Sequence, residues 1–272
     1  FLLKSLRSRF VQIALNKQTT GLGHVTVADL KEMRVGIPNL SEQRSIVNII
    51  APLHEKIENN RRMNETLEEM ARAIFKSWFV DFDPVHAKAA GNAPAHMDAD
   101  TAALFPSSFG DDGLPMGWGQ SYISNFAFRV KDKFEKGQNW DAERLIDLGR
   151  MPSNSIALNE YGEGKELSTS INIFKKGDFL FGSIRPYFCK AGLAPFNGVT
   201  NSSVFIIRSC EIKNNAFLYA LCSSEKIFNK SIQFSKGTKM PIISWGDFSK
   251  FECVDSTQII RDKFNSITLP IF

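Results

Sequence analysis

The strongest pattern in the chain is a three-four alternation of apolar or interface-compatible residues between Ser41 and Phe79. It falls on Ile46, Ile50, Leu53, Ile57, Asn60, Asn64, Leu67, Ala71, Ile74 and Trp78, with Glu, Lys and Arg between them. Gaps of three and four keep these positions on one helical face, so the stretch predicts a coiled-coil helix, on the order of 55 to 60 Å long at 1.5 Å per residue. One apolar stripe cannot bury itself within a single helix. The seam therefore predicts a partner packed on Ile46, Ile50, Leu53, Ile57, Leu67, Ile74 and Trp78: an antiparallel counterpart starting near Gln258, or a second copy of the chain. Asn60 and Asn64 would fix its register. Ser41 ahead of Glu42 is an acceptable helix start. Pro52 removes one backbone bond and predicts a kink or break near Ala51.

Beyond Phe79 the pattern changes. Residues 81–113 are rich in Ala, Asp, Pro, Gly and Ser, which predicts a linker with at most one short helix around Asp98–Phe105. Leu114-Pro115-Met116-Gly117-Trp118 opens a new domain. Short apolar runs at Asp178–Phe181, Leu193–Phe196 and Val204–Arg208 alternate with Gly, Asn and Pro turns, and one helix is expected over Asn215–Gln233. The expected fold class is α+β, a mixed strand-rich domain joined to a long coiled-coil spacer helix. The expected boundaries are 1–40, helix 41–80, linker 81–113, domain 114–256, and the start of a second helix at 257–272.

The chain also repeats itself. An ungapped offset of 218 lays Phe10–Leu53 on Phe228–Ile271, placing Phe10 on Phe228, Thr20 on Thr238, Thr26 on Ser244, Asp29 on Asp247 and Pro52 on Pro270. Identity is low, but residue types agree in order, which indicates two copies of one unit. The opening Phe1 inside an amphipathic segment leads us to expect a longer parent protein.

Composition adds less. With 272 residues and 43% apolar content the chain is of the ordinary globular class. It has no long apolar run and no secretory pattern, so no membrane association is expected. Cys189, Cys210, Cys222 and Cys253 lack metal-ligand spacing, and a reduced, cytoplasmic protein without metal or cofactor is expected. The formal charge of +4 is weak evidence, but its distribution is not even. Residues 171–250 hold eleven Lys/Arg against four acids, whereas 131–166 hold six bases and eight acids. Such asymmetry is the footprint of a polyanion or simply a solvated face. Within the basic stretch, Lys236-Gly237-Thr238-Lys239 places two ammonium groups, a hydroxyl and backbone N–H groups in one loop suited to phosphate. Its counterpart in the first copy is Lys17-Gln18-Thr19-Thr20-Gly21. Arg185 is a candidate for phosphate or guanine, or a brace for a carboxylate. Lys175, Lys176 and Lys190 complete the candidate DNA-binding set with Lys17 and Thr20. Asp81, Asp83 and His86 sit in a Pro-containing linker with no rigid scaffold for a metal. No phosphate-binding Gly-rich loop, GxSxG or HExxH occurs, so no catalytic residue is assigned.

Leu40-Ser41-Glu42-Gln43-Arg44, the helix end running Ala73 to Pro84, Leu114–Trp118, Gly177–Phe181 and Ile184-Arg185-Pro186-Tyr187 occur in one order along the chain. Together they resemble the specificity subunit of type I restriction-modification enzymes. The resemblance implies target-recognition domains that each read half of a split site in double-stranded DNA, joined by helices that pair as a spacer. It also implies DNA methyltransferase subunits and a motor-nuclease restriction subunit as partners that carry the chemistry, while this chain carries the address. The rival readings are an enzyme with its active site in 122–254, revealed by turnover without partners, and a coiled-coil scaffold without DNA specificity.

Overall fold

The computed structural model describes residues 6–17, 24–34, 36–134, 139–167 and 171–272, and the chain divides into two units, 1–58 and 59–272. The first unit contains α1 (Arg7–Asn16), α2 (Val27–Glu32) and the beginning of α3 (Leu40–Phe79). None of its described residues is buried, and local polar contacts define its turns. Thr26 and Asp29 form a capping box at α2. A second reciprocal pair starts α3: Asn39 accepts from the Glu42 N–H at 3.0 Å, while the Glu42 carboxylate accepts from the Asn39 N–H at 3.0 Å. The helix thus starts at Leu40 on an Asn39 cap, not at Ser41. It also runs through Pro52 without the break expected near Ala51. Proline costs one N–H bond there, and the helix continues on both sides of it.

The second unit continues α3 and adds α4 (Asp83–Ala89), α5 (Ala99–Ala103), β1 (Gly119–Tyr122), α6 (Ile123–Phe126), β2 (Ala127–Val130), β3 (Arg144–Leu145), β4 (Gly162–Glu163), β5 (Asn172–Phe174), β6 (Phe179–Gly182), β7 (Ala191–Leu193), β8 (Gly198–Thr200) and β9 (Val204–Ser209). It ends with α7 (Asn215–Cys222), α8 (Glu225–Phe234), α9 (Trp245–Phe248), β10 (Glu252–Asp255) and α10 (Gln258–Thr268). The fold is α+β. Its central sheet has the order β2-β9-β6-β7 and is antiparallel throughout, while a second sheet has the order β4-β3-β8-β5 with one parallel pair, β3 and β8.

Side-chain alternation explains the apolar runs. In β6, Phe179 and Phe181 join the core under the helices, whereas Leu180 joins a separate core with Val130, Ile146, Met151 and Phe174. In β9, Phe205 and Ile207 face the first core, Val204 and Ile206 the second. A sheet buried on both faces needs no polar alternation, so these strands read as continuous hydrophobic runs.

Segment 81–113 has two short helices where at most one was expected, and Val85 and Phe105 are buried. The Asp98 carboxylate caps α5 by accepting from the Thr101 N–H at 2.8 Å. The helix expected over Asn215–Gln233 is two, because the Ser223 hydroxyl donates back to the Tyr219 carbonyl at 2.7 Å while Ser224 becomes the N-cap of α8.

The internal repeat has a structural counterpart: α1 and α8 begin at Arg7 and Glu225, α2 and α9 at Val27 and Trp245, and α3 and α10 at Leu40 and Gln258, each pair 218 residues apart. Ser244 caps Asp247 as Thr26 caps Asp29. The end of α3 packs on α10 through Phe264, whose ring lies edge-on to Phe75 (6.0 Å), Trp78 (5.9 Å) and Phe79 (5.2 Å). Further along, Asn64 and Glu68 line one cavity with Ile271 and Phe272. Moving toward the end of α10 therefore means moving back along α3, an antiparallel sense.

Candidate nucleic-acid interface

Strand β6 ends at Gly182, and the next residue ties three loops together. The backbone N–H and hydroxyl of Ser183 both donate to the Ser203 carbonyl, at 2.9 and 2.8 Å, and its own carbonyl accepts from the Ile243 N–H at 3.0 Å. Ile184 then bridges Ile242, which also bridges Lys236 through two 2.9 Å backbone bonds. The Arg185 N–H donates to the Pro241 carbonyl at 2.7 Å. Arg185 and the Lys236–Lys239 loop, distant in sequence, thus share one framework.

Within it, Lys236, Gly237, Thr238 and Lys239 are all exposed. Gly237 has φ +103, and a Cβ there would approach the Met240 carbonyl oxygen at 3.0 Å, so the turn suits glycine alone. Arg185 is half-buried in the left-handed region, φ 50, and its Nε is buried without a hydrogen-bond partner among the described residues. A 3-10 turn over Pro186–Phe188 follows, closed by Cys189 at φ 49. Burial pushes the Cys189 thiol pKa up. Tyr187 and Phe188 are exposed on this turn with ring centroids 4.7 Å apart. Nearby in the sheet, Arg129 lies 4.6 Å over the Phe205 ring. The surface combines two ammonium groups, a hydroxyl, a guanidinium and a pair of aromatic rings, a set able to engage phosphates, sugars and base edges.

Other candidates are placed elsewhere. Lys175 and Lys176 are exposed in the turn before β6, whereas Arg185 follows the other end of that strand. Lys190 directs its ammonium at the Leu148 carbonyl, and Lys17 pairs with Asp29. Thr20 lies outside the described residues. On α3, Ile46 and Ile50 are half-buried, Leu53 and Ile57 exposed, Leu67 and Ile74 half-buried, and Trp78 buried. Asp81 pairs with Lys76, and the His86 ring lies 4.5 Å from that of Phe109. No group of three or more potential metal ligands occurs among the described residues. Nor is any helix among them long and apolar enough to cross a membrane. The residues that sequence reasoning missed are Ser183, Arg129 and the Tyr187–Phe188 pair. Two consecutive aromatics directly after Arg-Pro, where a buried strand ends, were the available signal for the last.

Comparison with known proteins supplies the relationship. Residues 1–69 match the family described as the type I restriction modification DNA specificity domain. The type I restriction enzyme HindI specificity subunit of Haemophilus influenzae is 46% identical over 80 residues, 29% of this chain and 17% of that protein. The MjaIX specificity subunit of Methanocaldococcus jannaschii is 24% identical over 258 residues, covering 89% of this chain. This chain is thus similar, along most of its length, to specificity subunits of type I restriction enzymes. It spans about half the length of the Methanocaldococcus relative, 55%. The S subunit from M. genitalium, a solved structure, aligns over 99% of this chain and 63% of its own, at 16% identity and a TM-score of 0.48. The HsdS subunit from Thermoanaerobacter tengcongensis aligns over 97% of this chain and 59% of its own, at 14% identity and a TM-score of 0.40.

Proposed function

We propose that this chain recognises double-stranded DNA as part of a type I specificity subunit, through a recognition domain over 114–256. The observation that carries the reading is the bridging of Ile242 to both Ile184 and Lys236, which fixes Arg185 beside the lysine loop. In this reading Lys236, Thr238 and Lys239 hold phosphates and set the register, while Arg185 reads a base edge. The chain performs no reaction itself. Methyltransferase subunits modify the DNA that it addresses, and a motor-nuclease subunit cleaves it. The exposed seam residues Leu53 and Ile57 suit a spacer helix completed by another helix of the subunit.

The test uses the full-length subunit assembled with its methyltransferase, first selecting a cognate duplex from a random pool. Salt titrations of single variants then follow on cognate and scrambled DNA. Lys236→Ala and Lys239→Ala should each flatten the logarithmic salt dependence by about 0.9 and weaken both duplexes equally. Arg185→Ala should cost about 1 to 3 kcal/mol on the cognate duplex and far less on the scrambled one. Equal losses on both DNAs would remove Arg185 from the reading role, and unchanged lysine variants would move the DNA surface elsewhere.

A further inference from the structure

We propose that Glu68 of the spacer helix α3 is a positioning residue for base reading, holding the Arg185 turn in place through the Asn154–Ile156 loop. The inference rests on the DNA-reading role given to Arg185 above.

Glu68 is only 6% exposed, and its carboxylate accepts from the Ser155 hydroxyl at 3.0 Å and the Ile156 N–H at 3.1 Å. One turn along the helix, Arg72 donates to the Asn154 carbonyl at 3.0 Å and lies 3.5 Å from Glu68. All three residues of the loop are therefore gripped from α3. The loop passes the constraint on. The Asn154 N–H donates to the Cys189 carbonyl at 3.0 Å, and the turn that Cys189 closes is held by bonds from Cys189 N–H to Pro186 (2.9 Å) and Phe188 N–H to Arg185 (3.0 Å).

Backbone conformation marks the same path. Asn154, Arg185 and Cys189 are three of the five described non-glycine residues at positive φ. Such conformations persist where surrounding contacts over-determine them. A cavity of about 640 Å³, bordered by Arg72, Asn154, Ser155, Ile156 and Cys189, gives the loop room to shift once its grip is lost. Attachment of the helix to the domain does not depend on Glu68, since Phe75, Trp78 and Phe79 are buried in the main core. Losing the carboxylate should therefore disturb the reading turn more than the fold.

Glu68→Ala, Glu68→Gln and Arg185→Ala, alone and with the first and last combined, are compared in the full-length subunit with its methyltransferase. Backbone hydrogen exchange without DNA should accelerate in Glu68→Ala over both 154–157 and 184–190, with partial restoration in Glu68→Gln, which keeps one carbonyl acceptor. Acceleration confined to 154–157 overturns the proposal. The cognate-to-scrambled affinity ratio should fall in Glu68→Ala roughly as in Arg185→Ala, by about five- to a hundredfold, and the double variant should lose no more than Arg185→Ala alone. A ratio that stays intact in Glu68→Ala while collapsing in Arg185→Ala sinks this inference and spares the DNA-reading role. A ratio unchanged in Arg185→Ala removes that role and this inference with it. If Glu68→Ala does not fold, Ser155→Ala, which deletes one donor without touching the helix, takes its place.

Discussion

Asp178 offers the sharpest test of what holds the central sheet together. Its side chain is 3% exposed and accepts from Arg208 twice, Nε at 2.6 Å and Nη2 at 2.8 Å, and from the Lys175 N–H at 2.7 Å. These bonds tie the turn before β6 to the neighbouring β9, setting the register in which Phe179 faces Ile207. Asp178→Ala would leave the guanidinium and one N–H without acceptors. Breaking a buried pair from one side costs about 3 to 5 kcal/mol. The Arg208 side chain is 30% exposed, so water can recover part of its solvation. The expected loss therefore falls at or below the bottom of that range, about 2 to 3 kcal/mol. Asp178→Asn retains an acceptor for the Lys175 N–H and should lose less. In urea denaturation, with a slope of about 2 kcal/mol per molar, the alanine variant should shift the midpoint down by about 1 to 1.5 M. Arg208→Ala should destabilise as well, since it strands the buried carboxylate, and the double variant should fall short of the sum. A shift under about 0.3 M at unchanged slope, or simple additivity of the two variants, would refute this account of the pair.

Two further predictions concern titration and reactivity. The Asp29 pKa is lowered to about 2, first by the hydrogen bond from Lys17 and then by those from Thr26. Because the folded value lies below the ordinary one, the stabilisation is present above the ordinary carboxylate range and is lost as pH falls through about 2. Carboxyl NMR should show that midpoint, and Lys17→Ala should raise it; a native midpoint near the ordinary value of about 4 would contradict the Lys17 contact. Burial pushes the Cys222 thiol far up and that of Cys253 to about 12, whereas Cys210 is exposed. A thiol reagent at neutral pH should label Cys210 in the folded protein and reach Cys222 and Cys253 only on unfolding, as peptide mapping by mass spectrometry would show.

Features governed by periodicity were legible in the sequence. The heptad spacing marks α3, and the 218-residue repeat anticipates three matched helix starts. Apolar runs at Asp178–Phe181 and Val204–Arg208 became β6 and β9. What sequence missed depends on short polar contacts or on tertiary partners. One pair of adjacent serines, Ser223 and Ser224, divides an otherwise continuous helical pattern because each side chain bonds a different stretch of backbone. The 81–113 segment looked like a linker by composition, yet Val85 and Phe105 find places in a core that no local pattern reveals. At the candidate interface, the basic Gly loop was visible as a motif. Its proximity to Arg185 was not, because Ile242 makes the connection and isolated bridges leave no periodic trace.

The structure also changes what the charge pattern means. Residues 171–250 are strongly basic, but four of their eleven cations have internal partners: Arg208 pairs with Asp178, Lys213 with Glu211, Lys230 with Glu252, and Lys190 meets the Leu148 carbonyl. Near the framework of Ile184 and Ile242 remain Lys236, Lys239 and Arg185. With Lys236 and Lys239 each on one phosphate and Arg185 on a base edge, this surface gives a salt slope of about 1.8, against the six to ten contacts of a typical specific complex. Between 50 and 200 mM salt, such a slope changes affinity by less than about a hundredfold, whereas a full interface changes it by about 10³ to 10⁵. Under the proposed function, most of the electrostatic affinity must then come from elsewhere in the assembly. On that proposal the domain would contribute discrimination, and discrimination would require Arg185 to be held still rather than surrounded by more lysines. A turn with two non-glycine residues in the left-handed region, braced on one side by Pro241 and on the other by Asn154, meets that requirement.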